Sequence, residues 1–325
     1  MKRPNLSKCA LKASTAGLTA ALSITFATVA VTPVAAEYPD RPVTFVVPFP
    51  PGDLEDVLTR LIADDFQTAY GVPAAVVNKP GGGGGPFPGA AEVARMPADG
   101  SVVGSFVNTV PIIGPKVGIP ELNPMPFEPL GIFVTYPFLI ATARNAPYQD
   151  MHELAAYAKD HDVVLGVFGA GFPPARITMA LAKKLEFEYS DVSAFDALDC
   201  NTLASGDADV INTTMQLVLP CLDQITVLAT VTKERISVVP DAPTVGEFDP
   251  SLSMDMWNGL FVRKEVPQDV RDKIIAVAKK TVLGERAQKI AKDTGAQIYW
   301  MDAAEANERI ARDAASLAEI GKTLE

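Results

Sequence analysis

Along the chain, apolar positions switch between short unbroken runs and a helical period. Val43–Val47 is an apolar run held between Pro42 and Pro48, which predicts a buried strand. From Leu54 onward, Val57, Leu58, Leu61, Ile62 and Phe66 recur at helical spacing, with acids in the first turn where the dipole favours them. Gly71 ends that helix. Ala74–Asn78 reads as the next strand, 90–95 as a helix, and 101–107 as a third strand after the turn Pro97-Ala98-Asp99-Gly100. This order predicts an α/β fold with mainly parallel sheets covered on both faces.

A second series follows the proline-rich stretch 111–129. Strands are expected at 138–143, 163–168, 208–213, 225–231, 257–262 and 296–300, with helices over 150–159, 177–185, roughly 194–204 and 268–280. Asp302 with Glu305 gives a capping-box-like start to a last helix carrying Ile310, Leu317 and Ile320. The organisation implied is a leader over 1–36, one lobe from 37–140 and 259–325, and a second lobe from 141–258. The chain would cross between lobes near 139–144 and 258–262.

The leader changes the picture. Lys2, Arg3, Lys8 and Lys12 precede 24 uncharged residues ending in Pro33-Val34-Ala35-Ala36, the pattern of a signal peptide cleaved after Ala36. A retained anchor is the rival, weakened by the seven Ser and Thr residues within the run. Without the four leader cations the net charge falls from −11 to −15, which repels polyphosphates and argues against nucleic acid as a partner. Export to an oxidising compartment also leaves two readings for Cys200 and Cys221, a bridge or two buried thiols.

In parallel α/β sheets, ligands sit outside the carboxyl ends of strands. Four loops lie there, and their candidate ligand-binding residues are Phe49, Pro51, Gly52, Asp53 and Leu54; Ser105, Asn108 and Thr109; Gly169, Ala170, Gly171, Phe172 and Arg176; and Thr213 and Thr214, with Asp196 beside them. The run Gly81 to Gly85 fails the dinucleotide spacing, since the sixth position from each possible start is proline or phenylalanine. No lysine followed by Ser or Thr closes it as a phosphate loop. His152 and His161 lack nucleophile or metal-ligand partners, and Glu55/Asp56 and Asp64/Asp65 read as solvated helix surface. Neither an enzyme, a metal site nor a cofactor is expected.

Several segments together resemble the extracytoplasmic solute receptors of tripartite tricarboxylate transporters, the Bug family. Tyr38-Pro39-Asp40-Arg41-Pro42 followed by Val46-Val47-Pro48-Phe49-Pro50-Pro51-Gly52 is similar to its amino-terminal signature. Asn78-Lys79-Pro80-Gly81, Pro97-Ala98-Asp99-Gly100, Pro240-Asp241-Ala242-Pro243-Thr244-Val245 with Glu247, and Trp257-Asn258-Gly259-Leu260 are similar to later motifs. The resemblance implies a two-lobed periplasmic binding fold, monomeric, that closes on a small organic carboxylate and delivers it to membrane transporter subunits. An exported binder serving a sensor kinase or another uptake system is the alternative. It further implies that loops 49–54 and 169–176 pinch the ligand. Here Asp53-Leu54 replaces further small residues, Arg176 stands where the family usually carries histidine, and Ser193-Ala194-Phe195-Asp196 replaces Pro-Tyr-Lys-Gly. Arg176 is expected either to grip a ligand carboxylate or to pair with an acid such as Asp196.

Overall fold

The computed structural model describes residues 37–81 and 85–325. The leader, with its expected cleavage after Ala36, lies outside the described residues, as do Gly82 to Gly84. The first sheet is laid down by β1 (Val43–Val47), α1 (Leu54–Tyr70), β2 (Ala74–Asn78), α2 (Phe87–Ala94), β3 (Val102–Val107), α3 (Thr109–Ile113) and β4 (Phe127–Thr135). The second follows from β5 (Phe138–Ala143), α4 (Met151–Tyr157), β6 (Val164–Val167), α5 (Pro173–Lys184), β7 (Asp191–Ala194), α6 (Cys200–Ala204), β8 (Val210–Thr214), α7 (Met215–Val218) and β9 (Ile225–Thr230). After α8 (Val245–Phe248), β10 (Trp257–Arg263) returns to the first sheet, followed by α9 (Gln268–Val282), α10 (Glu285–Thr294), β11 (Gln297–Asp302) and α11 (Ala303–Leu324). Strand orders are β11-β4-β10-β3-β1-β2 and β7-β6-β8-β5-β9.

Two α/β lobes are therefore present, but the sheets are mixed rather than mainly parallel. Only β1–β2, β1–β3, β6–β7 and β6–β8 pair in parallel. β5 and β10 each enter a sheet from the other lobe and run against their neighbours. The chain leaves the first sheet after Thr135 and joins the second at Phe138, then returns between Thr230 and Trp257. The boundaries expected at 140/141 and 258/259 thus fall inside β5 and β10, because unbroken apolar strands hide the change of lobe. The break in the chain is Tyr136-Pro137.

Other differences have local causes. β4 was obscured by Pro129 and Gly131. Pro129 is tolerated in a central strand because the β4–β10 register shifts between Leu260 and Phe261, beside it. Gly131 lies so close under Trp300 that an added Cβ would sit 2.4 Å from the indole. The helix expected over 194–204 is instead the end of β7, a loop through Asp196, and short α6, whose N-cap Asp199 accepts from the Asn201 N–H at 2.8 Å. Asp302 does not cap α11; its carboxylate accepts from Trp300 Nε1 at 2.8 Å. The capping box lies at Thr244 and Glu247.

One apolar cluster runs from Phe45 and Phe66 through Tyr136 and Phe138 at the crossover to Leu165 and Val210 in the second lobe. α11, about 33 Å long by its residue count, starts against β4 and β11 and ends against α5, touching both lobes. Cys200 and Cys221 are bridged, with Cα atoms 6.4 Å apart. The bridge ties α6 to the turn before β9 within a cluster containing Leu198, Met215 and Ile225; closing a loop of this length stabilises by roughly 3 kcal/mol. Among the described residues no helix is long and apolar enough to cross a membrane.

Candidate functional site

A cavity opens where the strand ends of the two sheets face each other. The first lobe contributes Phe49, Pro50 and Asp53 from the loop after β1, Glu55 from the first turn of α1, and Val107, Asn108 and Thr109 from the end of β3. The crossovers contribute Tyr136, Phe138 and Met256, and the second lobe Phe168, Phe172, Pro174, Asp196, Thr214 and Gln216. Counted out to its open mouth, and with the solvent there included, the empty space is about 640 Å³.

Aromatic rings build much of the wall. Tyr136 meets Phe138 edge to face at 6.1 Å and 77°, and Phe138 meets Phe168 at 6.3 Å and 88°. Phe172 reaches from the second lobe to the first, where it meets Phe87 edge-on at 6.2 Å. Its ring occupies space that exists only because two neighbours are glycine. A Cβ on Gly85 would lie 2.2 Å from the ring, and one on Gly169 would lie 3.0 Å from it. The last residue of the glycine run thus accommodates an interlobe contact.

The electrostatics of this cavity are those of an acidic site. Glu55 and Asp56, expected on solvated surface, are only 4% and 2% exposed. Asp56 faces away from the cavity and is fully satisfied: Arg60 donates to both its oxygens at 2.9 Å, Asn78 Nδ2 at 2.9 Å and the Gly52 N–H at 3.0 Å. Burial opposes its charge, but these donors from Arg60, Asn78 and Gly52 hold its pKa below the ordinary value. Glu55 has only Tyr136, whose hydroxyl donates to Oε2 at 3.0 Å, and its own backbone N–H. Burial, reinforced by Asp53, pushes its pKa up to about 8. Burial and then Asp56 raise Asp53 to about 6. Burial and then Glu55 push the Tyr136 phenol well above its usual range, so it remains a donor.

Anion-holding features are correspondingly weak. A helix N-terminus binds anions through its free N–H groups. At α1 the Gly52 and Glu55 N–H groups go to the chain's own Asp56 and Glu55 carboxylates. At α5 the first two positions are Pro173 and Pro174, which have no N–H to offer.

Of the expected ligand residues, the fold brings Phe49, Asp53, Asn108, Thr109, Phe172, Asp196 and Thr214 to the cavity. Pro51, Gly52, Ala170 and Gly171 stand at the exposed loop surfaces, and Gly169 lies beneath Phe172. Leu54 is buried in the core, and Ser105 is buried between Thr59 and Asn258, bonding each at 2.8 Å. Strand pleating turns Thr213 away from Thr214, and its hydroxyl donates to the Leu198 carbonyl at 2.6 Å. The residues not anticipated are Glu55, Tyr136, Phe138, Phe168, Gln216 and Met256, while Pro50 and Pro174 lie within the expected loops 49–54 and 169–176 and Val107 within the expected loop at the end of β3. The break Tyr136-Pro137-Phe138 is the one signal that points to two of these positions, if read as a hinge rather than as a strand start.

Arg176 is not among the residues that line the cavity. Its guanidinium lies over Gly321 near the C-terminal end of α11, where a Cβ would stand 2.5 Å from Nη2. It forms no ion pair with Asp196; the negative end of the α11 dipole is the group it faces. Lys183, two turns on along α5, donates to the Leu324 carbonyl at 3.1 Å in the same region. Arg176→Ala is accordingly expected to leave solute affinity unchanged within about twofold while lowering stability by about 0.3–1 kcal/mol. Titration calorimetry with thermal unfolding checks this, and a tenfold loss of affinity contradicts it.

Comparison with known proteins agrees with this architecture. The family model for the tripartite tricarboxylate transporter family receptor matches residues 58–324. A Pseudomonas sp. (strain P51) protein described as a UPF0065 protein in the tcbD-tcbE intergenic region is 24% identical over 268 residues, 79% of each chain. Protein BugT of Bordetella pertussis is 30% identical over 150 residues, 44% of each chain. Among solved structures, R. palustris Rpa4515 with adipate matches at TM-score 0.78 and 20% identity, covering 88% of this chain and 98% of that one. The periplasmic binding protein BugD matches at 0.74 and 23%, covering 87% and 99%. MatC from Rhodopseudomonas palustris with bound malate matches at 0.71 and 22%, covering 86% and 100%.

Proposed function

This chain belongs to the receptor family of tripartite tricarboxylate transporters, and from that premise we propose that it is an exported, monomeric solute receptor of the periplasm. It captures a small organic solute in the cleft between its lobes and delivers it to membrane transporter subunits, without catalysis. The observation that supports this most is the cleft itself. It draws side chains from both lobes and from both crossovers, so a ligand touching all of them favours the closed arrangement. Thr214 Oγ1 and Gln216 Oε1 line it and have no hydrogen-bond partner, leaving polar atoms for a solute to satisfy.

For the class of solute, two lines of reasoning separate. Similarity to folds solved with adipate and with malate points to an organic carboxylate. The charge of this cavity wall points away from one.

A thermal-shift screen of organic acids, amines and neutral analogues, followed by small-angle scattering, tests the receptor reading. A solute that binds the folded state is expected to raise the melting temperature by mass action and to reduce the radius of gyration as the lobes close by hinge motion. A saturating ligand that leaves the radius of gyration unchanged contradicts closure.

A further inference from the structure

Asp53, Glu55 and Asp196 face the cleft, and no lysine or arginine lines it among the described residues. Of the longer helices that start at its rim, α1 turns the Glu55 N–H to that residue's own carboxylate and α5 opens on two prolines. An independent feature is Thr214, which lines the cavity, is 5% exposed and has a hydroxyl without a hydrogen-bond partner. The rings of Tyr136, Phe138 and Phe168 line the same cavity, packed edge to face on one another, and aromatic rings attract cations through their quadrupoles.

We infer that the solute taken by this cleft is a small organic cation, an ammonium group with an apolar or aromatic body, held between Asp53 and Glu55 and the rings of Tyr136, Phe138 and Phe168. This rests on the receptor reading above and names the solute class for the same site. An ammonium fits better than a metal ion, because among the described residues no three acidic, histidine or cysteine side chains converge as ligands for one. The site is also poised for exchange of charge. Glu55 is faced by Tyr136 from the end of β4 and by Asp53 and Asp56 from its own helix turn, while Asp196 stands at the mouth. Arg60 is committed to Asp56. The ionised form of Glu55 therefore has no counter-charge of its own, and an arriving cation supplies one as the proton leaves.

The test is titration calorimetry of the purified protein at pH 8 with tetramethylammonium, benzylamine, benzyl alcohol, phenylacetate, malate and adipate, repeated with Glu55→Gln. At least one of the two cations is expected to bind tenfold or more tighter than phenylacetate and both dicarboxylates, and Glu55→Gln to weaken it tenfold or more while remaining folded. Tighter binding of any carboxylate than of both cations overturns the inference and leaves the receptor reading standing. Undiminished cation binding by Glu55→Gln overturns the assignment of Glu55. Absence of binding by every probe counts against the inference and the receptor reading together.

Discussion

Glu55→Gln is expected to yield a protein more stable than the parent at neutral pH. In the folded state Glu55 is buried with one phenol and its own N–H as donors, and burial first, then Asp53, raises its pKa to about 8 from an ordinary 4.5. Between those two values the folded protein holds a proton that the unfolded chain has lost. Stability therefore falls as pH rises through that window, and the loss is complete above it. The cost is near zero at pH 4 and about 3 kcal/mol at pH 7. A neutral amide of the same shape removes it and keeps an oxygen for Tyr136. Unfolding followed from pH 4 to pH 9 should show the two proteins converging at the acid end and separating steadily above pH 5. Parallel curves, or a parent more stable at pH 8, would contradict the assignment of a protonated, poorly partnered Glu55. A group that weakens the fold yet stands in the cleft is the kind kept for binding.

The second large effect lies behind the return crossover. Arg309 on α11 donates to Asp255 at 3.2 Å and to the Tyr299 hydroxyl at 2.6 Å, and stands 3.6 Å from Asp313. Asp313 accepts from Trp257 Nε1 at 2.6 Å, and the guanidinium sits 5.8 Å from the Trp257 ring. Burial raises Asp313 despite the Trp257 hydrogen bond and Arg309. Arg309→Ala would leave Asp313 with the Trp257 donor and Asp255 with Lys233 in a nearly closed space, a loss of about 3 kcal/mol. Met256, next to Asp255, lines the cavity, and its carbonyl accepts from the Tyr136 N–H at 2.8 Å, joining the two crossovers. The same variant should therefore weaken solute binding by loosening the hinge. Denaturant unfolding showing a loss below 1 kcal/mol would remove Arg309 from this role.

Much of the architecture is legible in the sequence, and the reason is periodicity. Apolar runs such as Val43–Val47, Ala74–Asn78 and Phe138–Ala143 sit in the structure as strands, and the family motifs place them in a two-lobed receptor. What escaped depends on partners distant in sequence. Pro129 is allowed in β4 only because β10 shifts register beside it. Glu55 and Asp56 have the pattern of solvated first-turn acids, yet both are buried, and the first meets Tyr136, more than seventy residues on. The sequence around Arg176 shows only its own helix, whereas its guanidinium lies against the end of α11. The loops of the cleft could be named from strand ends, but not which side chain of Thr213 and Thr214 turns inward. One residue of register decides that.

The cation inferred for this cleft stands against the adipate and malate with which similar folds have been solved. The proton balance of binding tests it most directly. Binding of tetramethylammonium or benzylamine at pH 7 is to be measured by calorimetry in two buffers of different ionisation enthalpy. Entry of a cation beside Glu55 and Asp53 should expel protons, so the apparent heat should vary with the buffer in the sense of proton release, and Glu55→Gln should reduce that release. Proton uptake on binding phenylacetate or malate, with no cation binding, would contradict the claim.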